Sequence, residues 1–237
     1  MVDVTVKPAP TWFSRALIAI LRTYLTLVLP ILLVLLSIRV VMTPPFLYFE
    51  YTRPDFPEDF YGLTVEDRLQ YAPYAVNYLL NGEAISYLSN LRFPDGGAMY
   101  NVRELQHMRD VKAITQIAFL AAIIAGLLAA LAIYLLNREP ITRRQLRAGL
   151  FNGGVLTLGI IVAIVLAAVI NWDFFFTGFH GLFFASGTWR FAYSDTLIRL
   201  FPEKFWFDAA LFIGGMTLLG ALGILVLTRR WRIPAAQ

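Results

Sequence analysis

The sequence predicts an all-α membrane protein with four transmembrane helices. Of its 237 residues, 58% are hydrophobic and only 15% are charged, whereas soluble domains are about 45–50% apolar and about 25% charged. A helix that crosses a hydrocarbon core about 30 Å thick needs about 20 apolar residues. Four runs meet that length, at about 16–42, 113–137, 148–172 and 209–228. The mean hydropathy of +0.64 agrees with this class.

Composition and motifs exclude several kinds of chemistry. The chain has no cysteine, so it forms no disulfide and has no thiol nucleophile. It contains no Gly-x-Ser-x-Gly elbow and no glycine-rich phosphate loop. Its net charge is +4, but the basic residues flank the apolar runs, which favours lipid headgroups over nucleic acid as their partner. We therefore expect no cofactor, no resident metal and no nucleic-acid partner.

The first apolar run, 16–42, is too long for a cleaved signal peptide and has no obvious small-residue cleavage site. We therefore expect it to remain as the first helix, which Pro44 and Pro45 bring to an end. Arg39 lies near the outer end of this helix. Its guanidinium is expected to reach the lipid headgroups, and the alternative is that it faces an internal site near the outer surface.

Two polar, aromatic-rich segments separate the apolar runs, at 43–112 and 173–207. In the first, Thr64 followed three residues later by Asp67 predicts a helix start. Both segments are rich in Tyr, Phe and Trp, and neither carries enough apolar pattern to fold alone. We expect the two segments to form one cap, so that residues 1–237 make a single integral membrane domain.

Charge at the ends of the helices predicts the orientation. Four helices place both termini on the same side of the membrane. The short loop between the second and third runs has four arginines, and the C-terminal end has three. Because positive charge accumulates on the cytoplasmic side, both termini are predicted to be cytoplasmic and the cap extracytoplasmic.

The only two histidines of the chain lie at corresponding places. His107 comes shortly before the second apolar run, and His180 comes shortly after the third. With the predicted orientation, both lie at the same depth on the same side of the membrane. A neutral imidazole is a common general base because the pKa of free histidine is ~6.5. A second histidine can donate a proton or stabilise an oxyanion. Two interfacial histidines with satisfied hydrogen bonds are the alternative.

The neighbours of each histidine suggest supporting roles. Glu104 and Asp110 lie three residues either side of the first histidine, so on a helix they would flank its face. Either carboxylate could orient the imidazole by accepting its N–H. The phenylalanine-rich run around the second histidine includes Phe179 and Phe183. It predicts interfacial anchors, an apolar chamber for acyl chains, or both.

Several of these residues belong to longer motifs. They are Glu104-x-x-His107-Met108-x-Asp110-Val111-Lys112, Phe179-His180 with Trp189, Asp195-Thr196-Leu197-Ile198 before Phe201-Pro202, and Glu50-Tyr51-x-Arg53-Pro54. The set resembles the family of the bacterial lipoprotein intramolecular transacylase, over nearly the whole chain. The two histidine motifs carry the specificity of this resemblance, because apolar runs occur in any membrane protein.

The resemblance implies an enzyme of the bacterial plasma membrane. It would move the sn-2 acyl chain of a diacylglyceryl-modified lipoprotein to the α-amino group of the N-terminal cysteine, leaving a lyso-form lipoprotein. Such an ester-to-amide transfer needs no enzyme nucleophile, and His107 and His180 would share the acid–base work. We predict that further residues bind or orient the substrate, namely Glu104, Asp110, Phe179, Phe183, Trp189, Asp195 and Arg39. The other expected partner is membrane lipid.

Two other classes of function predict different behaviour. A non-enzymatic tetraspan partner or assembly protein would tolerate replacement of both histidines but not of the aromatic surface of the cap. A transporter or channel would need a polar path through the helices. The second to fourth apolar runs have no charged residue in their interiors, so the transporter is the less favoured of the two.

Overall fold

The computed structural model describes residues 12–185 and 187–231, and that part of the chain forms nine helices. In chain order they are α1 (Trp12–Val41), α2 (Pro44–Tyr51), α3 (Val65–Leu80), α4 (Ser86–Ser89), α5 (Val102–Asn137), α6 (Pro140–Ile170), α7 (Trp172–Phe183), α8 (Thr196–Leu200) and α9 (Glu203–Arg230). The third of the C-terminal arginines, Arg232, lies outside the described residues.

Four of these helices, α1, α5, α6 and α9, are long and apolar enough to cross a membrane, which confirms the predicted fold class. Both α5 and α9 begin well before the apolar runs that predicted them. At about 1.5 Å per residue, the 36 residues of α5 extend about 54 Å, beyond a hydrocarbon core about 30 Å thick. The apolar boundary therefore marks where lipid begins, while the helix itself begins earlier.

The start of α5 is set by a reciprocal cap. The side chain of Asn101 accepts a hydrogen bond from the backbone N–H of Glu104, and the Glu104 carboxylate accepts one from the N–H of Asn101. Two N–H groups that would otherwise lack partners are thereby satisfied. As a result, the first turns of α5 project beyond the apolar run and carry His107.

The membrane helices pack around α1, which contacts α5, α6 and α9, while α6 also contacts α5 and α9. Small residues allow the closest approach. A Cβ added at Gly153 of α6 would lie 2.9 Å from the Leu29 side chain of α1, and one at Gly154 would lie 3.0 Å from Leu225 of α9. Glycine at such positions lets helix backbones approach closely in lipid, so α6 is fixed between α1 and α9.

The segments 43–112 and 173–207 share one buried core, which includes Phe46, Tyr51, Leu88, Leu200 and Phe205. Hydrogen bonds also join them: the Tyr51 hydroxyl donates to the backbone oxygen of Leu200 at 2.9 Å. Between the membrane helices the segments contain the five shorter helices of the described chain. The predicted helix start at Thr64 is present as a capping box with Asp67.

Asn171 is both the C-cap of α6 and the N-cap of α7. Its extended backbone, with φ −157° and ψ 96°, ends α6, and its side chain accepts a hydrogen bond from the backbone N–H of Phe174 at 2.9 Å. A side-chain oxygen at this position satisfies a donor of the first turn of α7. The chain therefore changes direction at the end of α6, and α7 brings His180 to the same end of the bundle as the first turns of α5.

Candidate active site

One phenylalanine ring contacts both histidines. The centroid of the Phe184 ring lies 5.1 Å from the imidazole of His107 and 6.0 Å from that of His180. His107 stands on α5 and His180 on α7. The structure therefore brings together two titratable groups that are far apart in the sequence.

The hydrogen bond of His180 defines its tautomer. Its Nδ1 lies 2.8 Å from the backbone oxygen of Phe176, one turn earlier on α7. Because a carbonyl oxygen can only accept, Nδ1 carries the proton, and the neutral ring keeps its lone pair on Nε2. Burial lowers the pKa of His180 from its ordinary value, although the hydrogen bond to Phe176 acts in the opposite direction. His180 is thus a neutral base near pH 7, with Nε2 free to take a proton.

His107 has a different environment. Its ring packs edge-on against Phe191, with centroids 5.3 Å apart, and its Nδ1 is buried with no hydrogen-bond partner in the described protein. Neither predicted orienting carboxylate bonds to that nitrogen. The Asp110 side chain instead accepts a hydrogen bond from Gln106 at 3.0 Å. One buried polar atom of this imidazole is therefore available to a group that the described residues do not supply.

Glu104 and Asp195 hold the segment after α7 against the start of α5. One oxygen of Glu104 accepts from the backbone N–H of Leu197 at 2.6 Å and the other from that of Asn101 at 2.8 Å. Asp195 accepts from the Asn101 side chain at 3.0 Å and from the N–H of Ala192 at 2.9 Å. Both carboxylates contact the peptide framework of the site, so they position its aromatic residues.

Trp189 covers the second imidazole. Its ring stacks on His180 with centroids 4.6 Å apart and planes inclined by 27°. Its Nε1 is buried without a hydrogen-bond partner in the described protein. Beside it lies a cleft of about 300 Å³, lined by Thr177, Gly181, Phe184, Gly187, Trp189 and Arg190. A concave space of this size beside a neutral base can hold a small reacting group.

Three of the predicted site residues lie at the edge of the site or away from it. Phe179 and Phe183 are about half exposed, although the Phe179 ring still contacts His180 edge-on, with centroids 5.6 Å apart. With Phe174 and Leu182, they form the exposed apolar face of α7. Arg39 is exposed at the end of α1 and donates to the backbone oxygen of Met42. The described contacts do not join it to either histidine.

Sequence reasoning did not select three aromatic residues of the site. Two of them, Phe176 and Phe184, lie four residues either side of His180, which places these three side chains on one face of α7 and its C-cap. That spacing was a usable signal. No sequence signal marks Phe191, because its contact with His107 depends on the tertiary fold. The described residues contain no group of three or more His, Cys, Asp or Glu side chains that could hold a metal ion.

A bundle of four apolar helices with two half-buried histidines at one end defines the class of integral membrane proteins to which this chain belongs. The family model described as lipoprotein intramolecular transacylase Lit matches residues 23–206. The chain belongs to this family. It is accordingly a bacterial membrane acyltransferase whose substrates are lipoproteins.

The chain is also similar to individual proteins. A protein of Aquifex aeolicus (strain VF5), described as uncharacterised, is 31% identical over 204 residues, covering 86% of this chain and 89% of the relative. The in meso structure of the membrane integral lipoprotein intramolecular transacylase Lit from Bacillus cereus superimposes with a TM-score of 0.75 at 21% identity. That match covers 91% of this chain and 95% of the other. A form of that protein with a histidine-to-arginine mutation superimposes with a TM-score of 0.71 at 23% identity. That match covers 92% of this chain and 93% of the other. These structures show a shared fold.

Proposed function

We propose that this enzyme moves the sn-2 acyl chain of a diacylglyceryl-modified lipoprotein to the α-amino group of the N-terminal cysteine, leaving a lyso-form lipoprotein. The observation that carries the proposal is the pair His107 and His180 on one aromatic ring. An intramolecular ester-to-amide transfer needs a base and a proton donor but no enzyme nucleophile, which matches this pair.

The reaction begins at His180. Its Nε2 takes a proton from the attacking amine, the nitrogen bonds to the ester carbonyl carbon, and the carbonyl electron pair moves to oxygen. The tetrahedral intermediate then collapses: the bond from carbon to the glyceryl oxygen breaks, and that oxygen receives the proton held by the imidazolium. Attacking nitrogen and leaving oxygen are bonded to the same carbon, so one imidazole reaches both, as the histidine of a serine protease does.

His107 is placed to act on the leaving side. It shares the Phe184 ring with the base, and its buried Nδ1 lacks a partner within the described protein. We assign it to the glyceryl oxygen, to which its imidazole donates a hydrogen bond that stabilises the departing oxygen while His180 delivers the proton. Most of the remaining acceleration comes from orientation, since holding reacting groups in near-attack geometry contributes about 7–11 kcal/mol.

The substrate arrives from the lipid along α7. This helix follows the membrane helix α6 with only Asn171 between them, and its apolar face is exposed: Phe174 is 77% and Leu182 is 78% exposed. In our proposal this face lies at the outer surface of the bacterial plasma membrane and contacts acyl chains. Both termini are cytoplasmic, the segments 43–112 and 173–207 form the extracytoplasmic cap, and the whole chain is one membrane domain.

The test is the linkage of the transferred chain. Because an intramolecular transfer leaves the mass unchanged, the N-terminal lipopeptide must be treated with mild alkali, which cleaves esters and leaves amides. A bacterial strain without other N-acylating activity would express the wild type, His107→Ala, His180→Ala or Phe60→Ala. We expect an amide-linked chain by mass spectrometry with the wild type and with Phe60→Ala, whose side chain is 93% exposed in the segment 43–112, away from α7.

Both histidine variants should leave only ester-linked chains, at membrane levels equal to the wild type. A wild-type protein that is folded and abundant yet produces no amide-linked chain would overturn the proposed reaction. Histidine variants that retain full transfer would instead favour a non-enzymatic role for the pair.

A further inference from the structure

The indole N–H of Trp189 is buried beside the proposed base and has no hydrogen-bond partner among the described residues. Tryptophan usually finds a hydrogen-bond partner when its N–H is buried, because an unpaired buried donor costs stability. In the described part of the chain only four buried side-chain polar atoms lack one, and two of these are Nε1 of Trp189 and Nδ1 of His107. Both atoms lie in one aromatic cluster, which indicates that a bound ligand forms the missing hydrogen bonds.

We infer that Trp189 is a catalytic residue whose Nε1–H donates a hydrogen bond to the oxyanion of the tetrahedral intermediate. This assignment rests on the proposed function. When the amine of the substrate bonds to the ester carbon, the carbonyl electron pair moves to oxygen and leaves a negative charge there. A donor already fixed toward that oxygen stabilises the charge without reorganisation.

The stacked geometry puts the indole next to the proposed base. The ring centroids are 4.6 Å apart and the planes are inclined by 27°, so the edges of the two rings border the same space. The inferred arrangement has one substituent of the tetrahedral carbon facing a nitrogen of His180 and another facing the indole N–H, each at roughly 3 Å. Trp189 also lines the cleft of about 300 Å³, from which the ester would approach.

The surroundings of the indole hold it rigidly. His180 packs on the ring, and the Phe176 ring packs edge-on against it with centroids 5.8 Å apart. The Arg190 guanidinium lies over it, 5.0 Å from a ring centroid. A ring contacted in this way needs no hydrogen bond to stay in place. Its N–H is therefore free for the substrate, and a purely packing role would be equally well served by an indole analogue without the N–H.

The experiment replaces one atom. Stop-codon suppression at position 189 would introduce β-(3-benzothienyl)alanine, which keeps the size of the indole but has sulfur in place of N–H. Transfer rates would be measured with purified full-length protein and a synthetic diacylglyceryl lipopeptide. We expect kcat to fall about 10²–10³-fold, the usual loss for one oxyanion donor, with KM and the pH profile unchanged.

Two controls accompany this variant. 5-Fluorotryptophan at position 189 keeps the N–H and should retain kcat near that of tryptophan. Benzothienylalanine at Trp206, which contacts Phe201 and Phe205 away from both histidines, should also leave kcat unchanged.

The possible results separate the two proposals. If wild type transfers the chain and the benzothienyl variant at position 189 stays within threefold in kcat, Trp189 is not the oxyanion donor, although the proposed reaction stands. A rise in KM alone assigns the N–H to ground-state binding and likewise overturns the inference. If wild type transfers no chain, the proposed function fails first and the assignment of Trp189 fails with it.

Discussion

The Nδ1–H of His180 donates to the backbone oxygen of Phe176 across one turn of α7, at 2.8 Å. Both partners belong to the same helix, so the tautomer of the imidazole is fixed as soon as α7 forms. Nε2 is left as the acceptor, and burial lowers the pKa of this histidine. A proton acceptor is thereby prepared before the substrate binds.

The first prediction concerns pH. The substrate amine must be neutral to attack, and its pKa is ~7.7–8.0. His180 must also be neutral, and its pKa lies below the ordinary value of ~6.5. Log(kcat/KM) should therefore fall with a slope of one as the pH drops below about 8, and steepen to two only below about 6.5. Initial rates on a synthetic lipopeptide between pH 5 and 9 test this, and a steepening above pH 6.5 would contradict it.

The second prediction concerns the ring shared by the two histidines. Phe184→Ala removes the surface on which both imidazoles pack. A misplacement of about 1 Å at an active site can reduce the rate about 10²-fold, so we expect kcat to fall about 10–100-fold. Phe60→Ala is the matched control, because it makes the same change at a 93% exposed position of the segment 43–112. Equal transfer rates for the two variants would show that Phe184 does not position the pair.

The third prediction concerns orientation. Because the chain has no cysteine, a single cysteine can be introduced without background. Phe60→Cys lies at a 93% exposed position of the segment 43–112, and Arg144→Cys lies at an exposed position after the α5–α6 turn. A maleimide that cannot cross membranes should label the first in intact spheroplasts and the second only after lysis. The reverse pattern would invert the proposed topology.

The sequence predicted the membrane helices better than it predicted the site. In lipid every backbone group must bond within its own helix, so four long apolar runs predict four helices, and the structure confirms them. The first turns of α5 are polar and lie outside that rule, although the sequence around Glu104 does favour a helix that continues into the membrane. The contact of His107 with Phe191 was not predictable, since it depends on the hydrogen bond between Glu104 and the backbone of Leu197. No local pattern encodes such a long-range bond.

That bond leads to the last prediction. Glu104 is 1% exposed, and its two oxygens accept from the backbone N–H groups of Leu197 and Asn101. In Glu104→Gln an amide NH₂ must face one of these donors, and an unpaired buried donor costs about 1–3 kcal/mol. At about 2–4 °C per kcal/mol for a chain of this size, the melting temperature in detergent should fall by several degrees. Asp110→Asn is the control, because its amide oxygen can still accept from Gln106. Equal melting temperatures for the two variants would show that Glu104 does not hold the segment after α7 in place.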